Sequence, residues 1–380
     1  MSKVRLGMAL MAVLVGAAVF TWWPTGARAP IQATVSVREA LADGGAGYAR
    51  ALAPRPFAFP EDHGPHPDFR TEWWYYTGNL RTAAGRHVGF QLTFFRVALA
   101  PDAEPRASEW ATRQLYFAHF AVTDTAGGRF HAFRRVSRGA VGLAGASAAP
   151  FRVWTEDWSA SGDGAAARLR ASEGDVAIDL EVSPTKPVVL QGERGLSRKG
   201  AEPGNASFYY SFTRMPTRGV VRLGAETLEV AGESWMDREW STSGLGADVV
   251  GWDWFAVQLD DGRELMFYRL RRKDGTADRF SAGTLVEPGG ATRELHGSEV
   301  GLETLAQWTS PRSGVRYPAR WRLTVPSAAL SLEIEPRLAG QELHVGTRYW
   351  EGAVAIAGSA AGRAIAGQGY VELVGYDEGR

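Results

Sequence analysis

The chain has 380 residues, 42 Lys plus Arg against 42 Asp plus Glu, and no cysteine. A net charge of zero gives no electrostatic pull toward nucleic acid, and the absent cysteines remove disulfides, thiolate metal sites, iron–sulfur clusters and a cysteine nucleophile. At 45% hydrophobic and 11% aromatic the sequence is far from the disordered class, and its length predicts two domains held by packing alone.

Lys3 and Arg5 precede an uncharged run from Leu6 to Trp23, and Ala27-Arg28-Ala29 has the small-x-small form that a signal peptidase reads. This predicts an export segment at 1–29, either a cleaved signal peptide or an uncleaved anchor. The body is then expected in the periplasm, free or tethered to the membrane facing it. No later stretch reaches the ~20 apolar residues of a second span. A linker rich in Ala, Gly and Pro follows at 30–55, with a weak helical candidate at Val37–Leu52.

From there on, short segments rich in β-branched and aromatic residues recur between Gly, Asp or Pro punctuation. Examples are Glu72–Leu80, His87–Val97, Gln114–Asp124, Ser207–Arg214, Trp252–Asp260, Glu264–Leu270, Arg348–Ile356 and Gly369–Tyr376. That spacing is the pattern of antiparallel β structure, and Ala126-Gly127-Gly128, Asp260-Asp261-Gly262 and Lys273-Asp274-Gly275 read as hairpin turns. The fold class expected is all-β. Shifting the chain by 179 positions lays Trp73-Trp74-Tyr75-Tyr76 over Trp252-Asp253-Trp254-Phe255, and with a turn shorter by two residues Phe90 meets Phe267. The repeat predicts two related β units, 56–242 and 243–380. Closed or nearly closed barrels would remove exposed strand edges, and small barrels of this kind can enclose an apolar ligand.

Three segments carry candidate chemistry. Asp62-His63-Gly-Pro-His66 could supply metal ligands, but no helix converges its imidazoles, and an ordered loop capping backbone groups explains it without metal; no metal is expected. In Glu72-Trp-Trp-Tyr-Tyr76, period-two alternation puts Glu72, Trp74 and Tyr76 on one face, which fits either a strand buried between layers or the lining of a ligand cavity. In Trp235-Met-Asp-Arg-Glu-Trp240, Trp235, Asp237 and Glu239 share a face. They form either an acid site, its pKa raised by apolar walls, or an Arg238–carboxylate pair pinning the junction between barrels. Trp252 and Trp254 are further cavity candidates, with Asp253 facing away from them. His119 is a lone imidazole, and Ser234 lacks the second glycine of a nucleophile elbow.

These stretches, with Tyr349-Trp-Glu-Gly-Ala-Val354 and Gly367-Gln-Gly-Tyr-Val-Glu-Leu373, resemble the CrtC/AttH-like family, the hydroxyneurosporene synthase or carotenoid 1,2-hydratase superfamily, especially its branch of secreted hydrolases. The resemblance spans residues 59–376 and implies two lipocalin-like antiparallel barrels in tandem. It also implies cofactor-free water addition to an isoprenoid double bond. Asp237 or Glu239 would then be the proton donor, Trp235 and Trp240 cation-stabilising walls, and Tyr268 a polar orienter. The chain departs from the hydratase pattern at Arg238, where a histidine is expected, and at Arg269, where an acid is expected. The other reading is a non-catalytic periplasmic carrier of a hydrophobic small molecule.

Overall fold

The apolar runs and their glycine-bearing turns fold as antiparallel strands, and no α-helix occurs among the described residues. The computed structural model describes residues 45–101, 108–242, 245–246 and 248–376; the export segment expected at 1–29 lies outside them. The described part of the helical candidate, residues 45–52, is turn and coil, with Gly47 in the left-handed region at φ +86°. All three predicted turns close hairpins, and Gly128, Gly262 and Gly275 take positive φ in them.

The first sheet contains β1 (Thr71–Arg81), β2 (His87–Ala98), β3 (Gln114–Asp124), β4 (Arg129–Arg138), β5 (Ala144–Ala148), β6 (Phe151–Thr155) and β7 (Trp158–Gly162). It continues with β8 (Ala167–Glu173), β9 (Val176–Val182), β10 (Val189–Leu190), β11 (Leu196–Arg198), β12 (Ala206–Leu223) and β13 (Glu226–Ser241). Its order is β4-β3-β2-β1-β13-β12-β9-β8-β7-β6-β5, with β10 and β11 beside β12. β6 packs back against β2, β3 and β4, so the sheet curls into a nearly closed barrel.

The second sheet contains β14 (Val249–Leu259), β15 (Glu264–Arg272), β16 (Ala282–Val286), β17 (Thr292–His296) and β18 (Gly301–Thr309). It is completed by β19 (Arg316–Val325), β20 (Leu330–Pro336), β21 (Glu342–His344), β22 (Arg348–Ala360) and β23 (Arg363–Val374). The order β17-β16-β15-β14-β23-β22-β20-β19-β18 forms a half-barrel. In each sheet the first strand pairs with the last, β1 with β13 and β14 with β23, so the repeated aromatic hairpins β1–β2 and β14–β15 occupy equivalent places.

Both interiors are filled with side chains. Trp74, Tyr76, Phe94, Trp158 and Trp240 are 0–1% exposed within the first sheet, as are Trp321, Trp350 and Val354 within the second. Hollow barrels are therefore not what this chain forms. A third apolar cluster, including Tyr75, Tyr209, Trp235, Trp254 and Tyr370, lies between the two sheets. The outward residues of β1 and β13 meet those of β14 and β23 there, because period-two alternation gives each aromatic strand a second apolar face to bury.

Polar clasps fix that contact. Glu264 of β15, fully buried, accepts from Arg214 Nε at 2.5 Å and Lys186 Nζ at 2.7 Å; Gln258 Nε2 donates to the Thr213 and Ser234 carbonyls at 2.8 and 3.0 Å. Asn79 Nδ2 donates to the Gly369 carbonyl at 2.9 Å.

Candidate functional site

A cleft open to solvent at its mouth lies between the sheets. Its walls are mainly aromatic: Trp73 and Tyr75 from β1, Phe95 from β2, Tyr209 from β12, and Trp252 and Trp254 from β14. Asp237, Glu239, Lys199, Tyr268 and Glu372 add polar groups, the mixture expected of a small-molecule site. Tyr75 packs edge-on to Trp254 with ring centroids 5.3 Å apart, so the repeated hairpins face each other across the cleft.

Alternation decides which predicted residues reach it. On β13, Trp235, Asp237 and Glu239 point to the second sheet. Trp240 and Arg238 point into the first barrel, as do Glu72, Trp74 and Tyr76 of β1. The last three are replaced at the cleft by their neighbours Trp73 and Tyr75. Trp240 stacks on His66 at 3.7 Å in the packed interior and is no wall of the cleft. Trp252, Trp254 and Tyr268 line it, and Trp235 supports it from behind.

Arg238 does not pin the junction between barrels. It sits inside the first barrel, 3.9 Å over the Trp74 ring, and pairs with Glu72, which also binds Arg96. Arg238 Nη2 and Arg96 Nη2 donate to the carbonyls of Gly64 and His66 at 2.5 and 2.8 Å, so this buried triad ties down the Asp62–His66 loop. In that loop Asp62 accepts from Ala58 N at 2.7 Å, and His63 Nδ1 meets Tyr210 Oη at 2.7 Å. Arg269 likewise points away from the cleft and pairs with Asp253 at 2.6 Å. Both departures from the hydratase pattern thus fall on side chains that do not line the cleft.

Asp237 is the best-defined polar group of the site. Oδ1 accepts from Ser211 Oγ at 2.5 Å and Trp235 Nε1 at 2.7 Å, and Oδ2 accepts from Tyr209 Oη at 2.6 Å. Tyr209 in turn accepts from Trp254 Nε1 at 3.2 Å. Burial, which opposes the charged form, outweighs these hydrogen bonds and pushes the Asp237 carboxyl up to about 7; the Glu239 charge adds to the effect. Removing one donor by Trp235→Phe is expected to raise it further, by the equivalent of about 1 kcal/mol, which a carbon-13 titration of the Asp237 carboxyl would read.

Glu239 accepts from Ser207 Oγ and lies 3.5 Å from Lys199 Nζ, which sits 3.9 Å over the Tyr268 ring. Burial pulls the Lys199 pKa down, but Glu239 and Tyr268 outweigh it and leave it above the usual lysine value. Lys199 is therefore a fixed ammonium and Glu239 its counter-ion. Tyr268 Oη shares a hydrogen with Ser197 Oγ at 3.1 Å.

The model of the AttH-like family matches residues 50–376, most of the chain. The chain belongs to the AttH-like family. An AttH-assigned protein of Nitrosomonas europaea has a similar crystal structure, 35% identical with a TM-score of 0.76, the match covering 86% of this chain and 99% of that one. Kievitone hydratase of Nectria haematococca shares the fold at 15% identity, with a TM-score of 0.65 and coverage of 86% and 95%. A complex of CghA with Sch210972 does so at 13% identity and TM-score 0.51, covering 89% and 99%. No curated protein matches the chain in sequence.

The AttH-like cleft also contains groups that residue-by-residue reading missed. Glu372 lines it, accepting from Trp252 Nε1 at 2.5 Å, with Glu351 buried behind it. Both lie in motifs that carried the family resemblance, but a strand pattern alone does not say which acids lack a basic partner.

Proposed function

We propose that this AttH-like protein is exported, binds an apolar isoprenoid or lipid-like molecule in the inter-sheet cleft, and adds water to a carbon–carbon double bond of it without a cofactor. Asp237 carries the reading: a carboxyl buried at an aromatic cleft, held by three neutral donors and no cation, is a proton donor at neutral pH. Its proton goes to one alkene carbon, and the π electrons form the new C–H bond. The cation left on the other carbon faces Trp73, Tyr75 and Trp254, whose ring faces stabilise positive charge. A water oxygen then bonds to that carbon and sheds one proton, so that the net change is the addition of one water. A fold-mate is named for a hydratase activity, and this site suits the same class of chemistry.

A second reading, carriage of the same ligand without chemistry, is favoured by the apolar walls, which bind without needing an acid. Incubating the full chain and its Asp237→Asn and Glu239→Gln variants with extracted membrane lipids and a carotenoid separates the two. The hydro-lyase reading expects a mass gain of one water with wild type and its loss in Asp237→Asn, while the ligand is retained. Retention by all three proteins with no mass gain in any leaves the carrier.

A further inference from the structure

The internal repeat duplicates the acid. Tyr75 pairs in register with Asp237, and its repeat counterpart Trp254 pairs with Glu372. On the other side, Asp237 is opposite Ser211 of β12, and Glu372 is opposite Glu351 of β22. Ser211 donates its hydroxyl to Asp237 at 2.5 Å. The equivalent neighbour of Glu372 is a carboxyl, which can donate only if it carries a proton.

The surroundings of the pair require that proton. Apart from Asp237, the other buried acids of the described chain are matched by basic groups: Asp62 by Arg55, Glu72 by Arg96 and Arg238, Asp124 by Arg86, Glu239 by Lys199, Asp253 by Arg269 and Arg271, Glu264 by Lys186 and Arg214. Glu351 is fully buried, and its Oε1 accepts from Tyr75 Oη at 2.6 Å. Its Oε2 meets no donor among the described residues, and the group beside it is the Glu372 carboxyl. Two facing carboxylates without a cation do not both ionise. Burial and Glu372 push the Glu351 carboxyl well above the usual range; burial raises the Glu372 carboxyl too, against the hydrogen bond it accepts from Trp252.

Resting on the hydro-lyase reading, we propose that Glu372 is the base that takes the proton from the adding water, and that Glu351, protonated, is the positioning residue that donates to it. Asp237 on one wall gives a proton to carbon; the water oxygen bonds to the cation; its proton goes to Glu372 on the other wall. Glu372 afterwards returns that proton to Asp237 through solvent at the open mouth, so the cycle closes without a co-reactant.

Glutamine resembles a protonated glutamic acid in shape and keeps a donor, so the two variants separate the roles. With a substrate that wild type hydrates, Glu372→Gln is expected to lower turnover about 10²–10⁴-fold. Glu351→Gln should stay within about tenfold of wild type, and Glu351→Leu should fall with Glu372→Gln while keeping ligand retention. Wild-type turnover in Glu372→Gln overturns the inference and leaves Asp237 chemistry standing. A wild type that hydrates nothing overturns the hydro-lyase reading together with the base. A carbon-13 titration of the glutamate carboxyls tests the pair without substrate. One proton should persist on it through neutral pH, and two independent titrations in the ordinary glutamate range overturn it.

Discussion

The Asp237→Asn variant is expected to bind ligand like wild type and to hydrate it about 10²–10⁴-fold more slowly. Asparagine fills the same volume, and its amide oxygen keeps the Ser211 and Trp235 hydrogen bonds. The Tyr209 hydroxyl accepts from the amide nitrogen in place of donating to Oδ2. What disappears is the transferable proton. The same substitution has a stability signature whose sign follows from burial. The folded-state value of about 7 lies above the unfolded 3.8. The wild-type carboxyl therefore contributes stability fully below about pH 4 and loses it as pH rises through 7, an amount on the order of 4 kcal/mol. Relative to wild type, Asp237→Asn should gain stability as pH rises from about 4 to about 7 and hold that gain above it. Urea unfolding at a series of pH values measures this.

Replacing Glu72 by glutamine is expected to cost about 3–5 kcal/mol, because it strands Arg96 and Arg238, both buried at 0–1% exposure, without a counter-charge. The Asp62–His66 loop should loosen at the same time, since those guanidiniums also hold its carbonyls. Asp179→Asn, which breaks the exposed pairs with Arg168 and Arg170, is the control and should cost about 0–1 kcal/mol. The pH dependence runs opposite to that of Asp237. Burial alone would raise the Glu72 carboxyl, but Arg96 and Arg238 outweigh it and hold it far below 4.5. Its contribution is present above that value and fades as pH falls below it.

The strands that surround the cleft were legible because their composition is extreme. Glu72–Leu80 and Gln114–Asp124 announce themselves by aromatic and β-branched runs, and glycine turns mark where they end. Short strands such as β5, Ala144–Ala148, carry almost no such signal: alanine, glycine and serine pair there only because a neighbouring strand imposes the ladder. Period two correctly grouped Trp235 with Asp237 and Glu239, yet it could not say which face of β1 looks outward, since both are aromatic. Of the two readings open for Glu72, Trp74 and Tyr76, the buried strand is the one the structure has, and Trp73 and Tyr75 reach the cleft in place of the lining the other reading gave them. The partner of Arg238 was likewise illegible, because Glu72 stands 166 positions away and only the pairing of β1 with β13 brings them together. Glu351 and Glu372 looked like ordinary strand acids until the register of β22 and β23 set them face to face.

The location of a bound ligand tests the central claim most directly. A crystal of the full chain grown with a bromine-labelled prenyl chain should give an anomalous peak between Trp73 and Trp254, beside Asp237 and Glu372. A peak inside either sheet's own interior, or no peak at concentrations that saturate tryptophan quenching, would contradict it.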